Sequence, residues 1–127
     1  MRIMLADHHP QALWALKMML QEQPEFQITG EASDADSLLS LVTANPPDLV
    51  LMDWELPGIF IEDLISDLHA CKPRPIVMTM CNKPEYSNMI LRAGADAFIS
   101  KSDQPEWLLE SLRKFEKRLR LKTKKGE

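Results

Sequence analysis

Residues 48–53 read Asp48-Leu49-Val50-Leu51-Met52-Asp53, four apolar side chains between two carboxylates, and Leu56-Pro57-Gly58 follows. An unbroken apolar run this short marks a strand buried on both faces rather than one that alternates between core and water. Pro-Gly is a turn signal, so the strand ends near Asp53. A strand covered on both faces needs helices above and below it, and that is the setting of a parallel sheet.

Outward from this strand the chain alternates strand and helix patterns. Arg2-Ile3-Met4-Leu5-Ala6 is a second buried strand, and Asp7-His8-His9 is a polar loop. Pro10 stands where a first helical residue needs no N–H, and Leu13, Leu16, Met19 and Leu20 recur at helical spacing to about Gln23. Phe26–Ala32 reads as a strand, and Ser33 or Asp34 can cap a helix carrying Leu38, Leu39, Leu41 and Val42 that stops before Asn45-Pro46-Pro47. Downstream, Phe60, Leu64, Ile65 and Leu68 predict a helix over roughly 60–71, and Pro75–Met80 predicts a strand with Pro tolerated at its first residue. A helix near 84–93 ends at Gly94, Asp96–Ser100 is a short strand, and Gln104-Pro105-Glu106 opens a last helix with Trp107, Leu108, Leu112, Phe115 and Leu119. Five strands alternating with five helices predict an α/β fold, a doubly wound parallel sheet with helices on both faces.

Composition agrees with one such domain. The chain has 127 residues, 45% of them apolar, enough for a core without disulfides or metal. No apolar run exceeds six residues, against the roughly 20 that a membrane helix needs, so no membrane association is expected and the expected location is cytoplasmic. Cys71 and Cys81 lie outside any CxxC pattern and read as free thiols. The net charge is −4, but residues 113–127 hold eight Lys or Arg and two Glu, so the tail carries +6 and the body −10. An acidic body repels nucleic acid and attracts cations. The basic end reads as a solvated helix terminus leading into a linker.

In doubly wound folds ligands bind beyond the carboxyl ends of the strands. Asp7 follows the first strand, Asp53 ends the third, Thr79 lies near the end of the fourth and Lys101 follows the fifth, so all four converge on one sheet edge. Singly, each has an ordinary reading: a turn carboxylate, a strand threonine, a solvated lysine. Jointly they suit phosphoryl chemistry. Carboxylates bind Mg²⁺ through oxygen. A carboxylate can attack phosphorus, and a hydroxyl and an ammonium can hold the transferred oxygens.

At these residues the sequence resembles the receiver domains of bacterial two-component response regulators, over residues 1 to about 121. The stretches that carry the resemblance are Ile3-Met4-Leu5-Ala6-Asp7, Asp48–Asp53 with Leu56-Pro57-Gly58, Val77-Met78-Thr79 and Arg92–Lys101. His9-Pro10 and Ala93-Gly94-Ala95-Asp96-Ala97-Phe98 are most similar to the receivers joined to helix-turn-helix domains, the NarL/LuxR type. The resemblance implies a flavodoxin-like strand order 2-1-3-4-5, a receiver over 1–121 and a basic tail or linker start over 122–127. It implies Asp53 as phosphoacceptor for a sensor histidine kinase, assisted by Thr79 and Lys101. Asp7, Asp53, the backbone carbonyl of Glu55 and the residue at position 8 would form the Mg²⁺ site, and Thr79 and Phe98 would be the switch pair. Such a domain is a signalling phosphoacceptor that catalyses only its own phosphorylation and dephosphorylation. It would present the fourth helix, fifth strand and fifth helix as an output or homodimer face, and would reach DNA only through a domain absent from this chain.

The family's pattern is broken at His8, where a second carboxylate is usual. Imidazole suits zinc, copper or nickel better than Mg²⁺, so weakened Mg²⁺ binding is expected. His8-His9 is a weak pair for a transition metal, since adjacent side chains are expected to point apart. Met80 stands where a small residue is usual, and would either narrow access to Asp53 or fill a gap. Glu55 adds negative charge that would repel anionic phosphodonors. His8 keeps a second function open: an atypical receiver acting as a phosphorylation-independent docking or dimerising module, or as a stand-alone receiver. Trp107 is expected to lie buried against the sheet; exposure would mark an interface.

Overall fold

A computed structural model describes residues 1–126, and for residues 123–126 the backbone alone. The strands are β1 (Arg2–Ala6), β2 (Gln27–Ala32), β3 (Leu49–Asp53), β4 (Ile76–Cys81) and β5 (Ala97–Ser100). The helices are α1 (Pro10–Gln21), α2 (Ala35–Ala44), α3 (Ile61–Ala70), α4 (Ser87–Arg92) and α5 (Pro105–Gly126). All paired strands run parallel, in the order β2-β1-β3-β4-β5. The order in which the chain adds strands reverses between β1 and β3, so the crevice of this sheet opens beside Asp7 and Asp53.

Alternation along the strands divides the core into two layers. Met4, Ala6, Val50, Met52 and Val77 face α2, α3 and α4, where they meet Leu38, Leu64, Leu68 and Ile90. Ile3, Leu5, Leu49, Leu51, Met78 and Met80 face α1 and α5, where they meet Leu20, Leu108 and Leu112. Every residue of β3 is buried, which is why it lacks polar alternation.

Local chemistry sets the ends of the elements. Pro10 begins α1, and the Asp34 carboxylate caps α2 by accepting the Ser37 N–H at 2.7 Å. Gly94 follows α4 at φ +111°, a left-handed ending suited to glycine. Gly58 has φ +124°, and a Cβ there would lie 3.2 Å from the Ala35 nitrogen, whose N–H donates to the Pro57 carbonyl. The β3–α3 turn is thereby clamped to the start of α2.

Two expectations change, and one element runs further than its apolar positions reached. The helix expected near 84–93 is a single 3₁₀ turn, Pro84–Tyr86, followed by α4, because the Tyr86 N–H bonds the Lys83 carbonyl three residues back. The helix α5 continues through Gly126, and Glu127, the last residue of the expected tail, lies outside the described residues. Trp107 is 54% exposed rather than buried, since Leu108 and Leu112 take the inward stripe of α5. Cys71 and Cys81 are free thiols. No described helix is long and apolar enough to cross a membrane.

Candidate functional site

The carboxyl edge of the sheet brings Asp7, Asp53 and Lys101 together. Asp7 and Asp53 are nearly inaccessible, at 1% and 3% exposed. The Lys101 ammonium donates to Asp7 Oδ2 at 2.9 Å and to Asp53 Oδ2 at 3.0 Å. The Lys101 backbone N–H donates to the Cys81 carbonyl, which anchors the residue just past β5. The second oxygen of each carboxylate accepts a backbone N–H two residues ahead. His9 donates to Asp7 Oδ1 at 2.9 Å, and Glu55 to Asp53 Oδ1 at 3.0 Å. Glu55 itself is exposed.

This pairing governs ionisation. Burial by itself pushes the Asp7 carboxyl up, but the His9 N–H, the hydrogen bond and charge of Lys101 and the His9 ring outweigh it and hold it below the usual range. Burial likewise pulls the Lys101 ammonium down, and the bonds and charges of Asp7 and Asp53 overcome it, leaving it raised. Two buried anions and one cation sit here, so the pocket retains negative charge.

Thr79 and Phe98 are register partners across β4 and β5. Thr79 is fully buried, and its hydroxyl has no hydrogen-bond partner among the described residues. Phe98 is half-buried and packs against the α2/α3/α4 layer. Met80 points to the opposite layer, against α1 and α5, where it fills space. It also lines a cavity of about 310 Å³ that reaches Asp7 and Lys101.

The expectation that His8 and His9 point apart is wrong. Their ring centroids are 3.8 Å apart, tilted by 44°. His8 Nδ1 lies 3.7 Å from Asp53 Oδ2; His9 Nδ1 lies 3.1 Å from Asp7 Oδ1 and 3.8 Å from Asp53 Oδ2. Opposite pointing is a property of strands, and β1 has ended at Ala6. The chain turns there, with its N–H bonding held by Asp7, and both rings swing over the carboxylates. His9 was weighed only as half of a weak metal pair with His8; its N–H closing on a carboxylate two residues back is an Asx-type turn, legible in Asp-x-His-Pro only as a turn.

A parallel 2-1-3-4-5 sheet with paired carboxylates and a lysine at its carboxyl edge defines the CheY-like receiver class. The chain belongs to the response regulator receiver domain family, which matches residues 3–113. It is NarL-like. It is 30% identical over 112 residues to the nitrate/nitrite response regulator NarL of Escherichia coli K12, covering 87% of this chain and 52% of that protein. It is 28% identical to the oxygen regulatory protein NreC of Staphylococcus haemolyticus, covering 89% and 54%. The chain thus spans about half the length of the curated relatives it matches. Among solved structures it resembles a CheY-like receiver domain protein of Methanospirillum hungatei, with a TM-score of 0.80 and 26% identity over 92% of this chain and 94% of that one. A LuxR-family response regulator of Aurantimonas shares the fold at a TM-score of 0.82 and 24% identity, covering 91% and 84%.

Receivers bind Mg²⁺ at an acidic cluster. Here the donors that stand together are Asp7, His8, His9 and Asp53, a group able to hold a metal ion. Two of the four are imidazoles. Mg²⁺ takes oxygen ligands and dehydrates reluctantly, so this donor set does not fit it well.

Proposed function

We propose that this chain is the phosphoacceptor module of a response regulator, with Asp53 as the modified group. An Asp53 oxygen attacks the phosphorus of a phosphohistidine on a sensor histidine kinase. The P–O bond forms, the P–N bond breaks, and the imidazole nitrogen leaves with the electron pair. The observation that supports this reading is the Lys101 ammonium shared between Asp53 and Asp7. It orients the attacking carboxylate and remains beside the phosphoryl oxygens once they arrive. The Thr79 hydroxyl, buried and without a partner among the described residues, has a bond to give to one of those oxygens. Its movement would alter the packing of Phe98, its neighbour across the sheet.

The domain turns over no metabolite; it catalyses its own phosphorylation and dephosphorylation. The output face is α4-β5-α5, and the exposed Met89, Leu91 and Trp107 support a homodimer contact there. Transcription control would pass through a DNA-binding domain outside this chain. With His8 replacing a carboxylate and Glu55 adding charge, Mg²⁺ affinity falls below that of acidic receivers, and small anionic phosphodonors react slowly.

The test is a titration of beryllofluoride with Mg²⁺ in large excess, followed by the fluorescence of Trp54, the neighbour of Asp53. A saturable change, absent in Asp53→Asn, is expected. No change in fluorescence, and none in the NMR shifts of Asp7 and Lys101, would overturn the reading in favour of a phosphorylation-independent docking module.

A further inference from the structure

Four donor atoms from Asp7, His8, His9 and Asp53 lie within 4.8 Å of one another at the sheet edge. At Zn–N and Zn–O lengths near 2.1 Å, two donors on a tetrahedral ion stand about 3.4 Å apart. Three of the six donor pairs stand 3.1, 3.7 and 3.8 Å apart, around that value, and all six lie within 4.8 Å. The atoms are therefore gathered on one side of the pocket before any ion arrives, and side-chain rotation would draw the wider pairs in. His8 Nδ1 is buried and has no hydrogen-bond partner among the described residues. A buried ring nitrogen left without a partner costs free energy unless something fills the space before it.

From this geometry we infer that the pocket selects a borderline divalent transition ion of the Zn²⁺ or Co²⁺ class over Mg²⁺, held by His8, His9, Asp7 and Asp53. Two imidazoles and two carboxylates are the donors such ions prefer. The Lys101 ammonium need not leave. It holds Asp7 Oδ2, while the oxygen facing His9 is Asp7 Oδ1. Only Asp53 Oδ2 is shared between the lysine and the ion. The inference goes beyond the phosphoacceptor reading and survives its failure, since no transfer step enters it.

The experiment uses the untagged, EDTA-treated chain and Co²⁺, followed by visible absorption. Wild type is expected to give the intense d–d bands of a four- or five-coordinate ion, displaced by equimolar Zn²⁺ and not by an about hundredfold excess of Mg²⁺. His8→Asp, which restores a carboxylate, is expected to lose these bands. Its Zn²⁺ affinity should fall by no less than the about 10- to 100-fold that loss of an outer-shell partner costs. In wild type, Zn²⁺ is also expected to shift the ring-nitrogen NMR signals of both His8 and His9, a readout that needs no variant to fold. Weak octahedral bands, bands unchanged in His8→Asp, displacement by Mg²⁺, or a sulfur-to-cobalt band marking Cys71 would each overturn the inference. The beryllofluoride response reads the phosphoacceptor function separately, so either idea can fall alone.

Discussion

The Lys101 ammonium lies 3.0 Å from the Asp53 carboxylate, although 48 residues separate them in sequence. The same nitrogen reaches Asp7, so one cation serves two buried anions. Lys101→Met leaves both carboxylates buried without a counter-charge. Such a loss costs about 3 kcal/mol, which urea denaturation will read. Asp7→Asn in the Lys101→Met background is expected to recover part of it, because one of the stranded charges is then gone.

The same pair sets a pH window for stability. Asp7 is depressed in the folded state, so its contribution is present above the unfolded carboxylate value of about 3.9 and is lost as pH falls through the lower folded value. Lys101 is raised, so its contribution is present below about 10.4 and is lost as pH rises through the higher folded value. Urea midpoints are expected to fall on both sides of that window. In Lys101→Met the alkaline limb should flatten.

Thr79 should separate stability from signalling. Its hydroxyl is buried and has no partner among the described residues, so the isosteric Thr79→Val removes a desolvated polar group. A gain of up to about 1 kcal/mol in unfolding free energy is expected. Under the proposed function the same variant loses the beryllofluoride-induced NMR shifts at Phe98.

Gly58 is placed by steric need. At φ +124°, with a new Cβ 3.1 Å from the Ala35 Cβ and 3.2 Å from the Ala35 nitrogen, Gly58→Ala meets both backbone strain and a clash. A loss of about 1–3 kcal/mol in thermal or urea unfolding is expected.

Asp96 acts as a clamp between β4 and α3. Its carboxylate accepts the Val77 N–H at 2.8 Å and meets His69 Nε2 at 2.9 Å and an Arg74 nitrogen at 3.0 Å. Burial pushes this carboxyl up, but those partners bring it below the usual range. Asp96→Ala strands the Val77 N–H and is expected to cost about 1–3 kcal/mol. The wild-type contribution should fade as pH drops below about 4, by the same sign as for Asp7.

Much of the fold was legible in the residues themselves. The short unbroken run from Leu49 to Met52, closed by Asp53 and a Pro-Gly turn, reads as a strand covered on both sides, and Pro10, Asp34 and Gly94 mark helix ends by backbone chemistry that acts within a few residues. That Asp7, Asp53 and Lys101 meet at one edge follows from strand ends in a parallel sheet, so it too could be read along the chain. Tertiary structure alone decided the rest. That Lys101 bridges two carboxylates, that His8 and His9 swing together over them and that the Thr79 hydroxyl has no partner all depend on side-chain directions in turns and on contacts between distant segments. The exposure of Trp107 depended on which residues of α5 took the inward stripe. Periodicity reports one element's own faces; it carries no information about how a loop turns after its strand ends or which distant group meets it there.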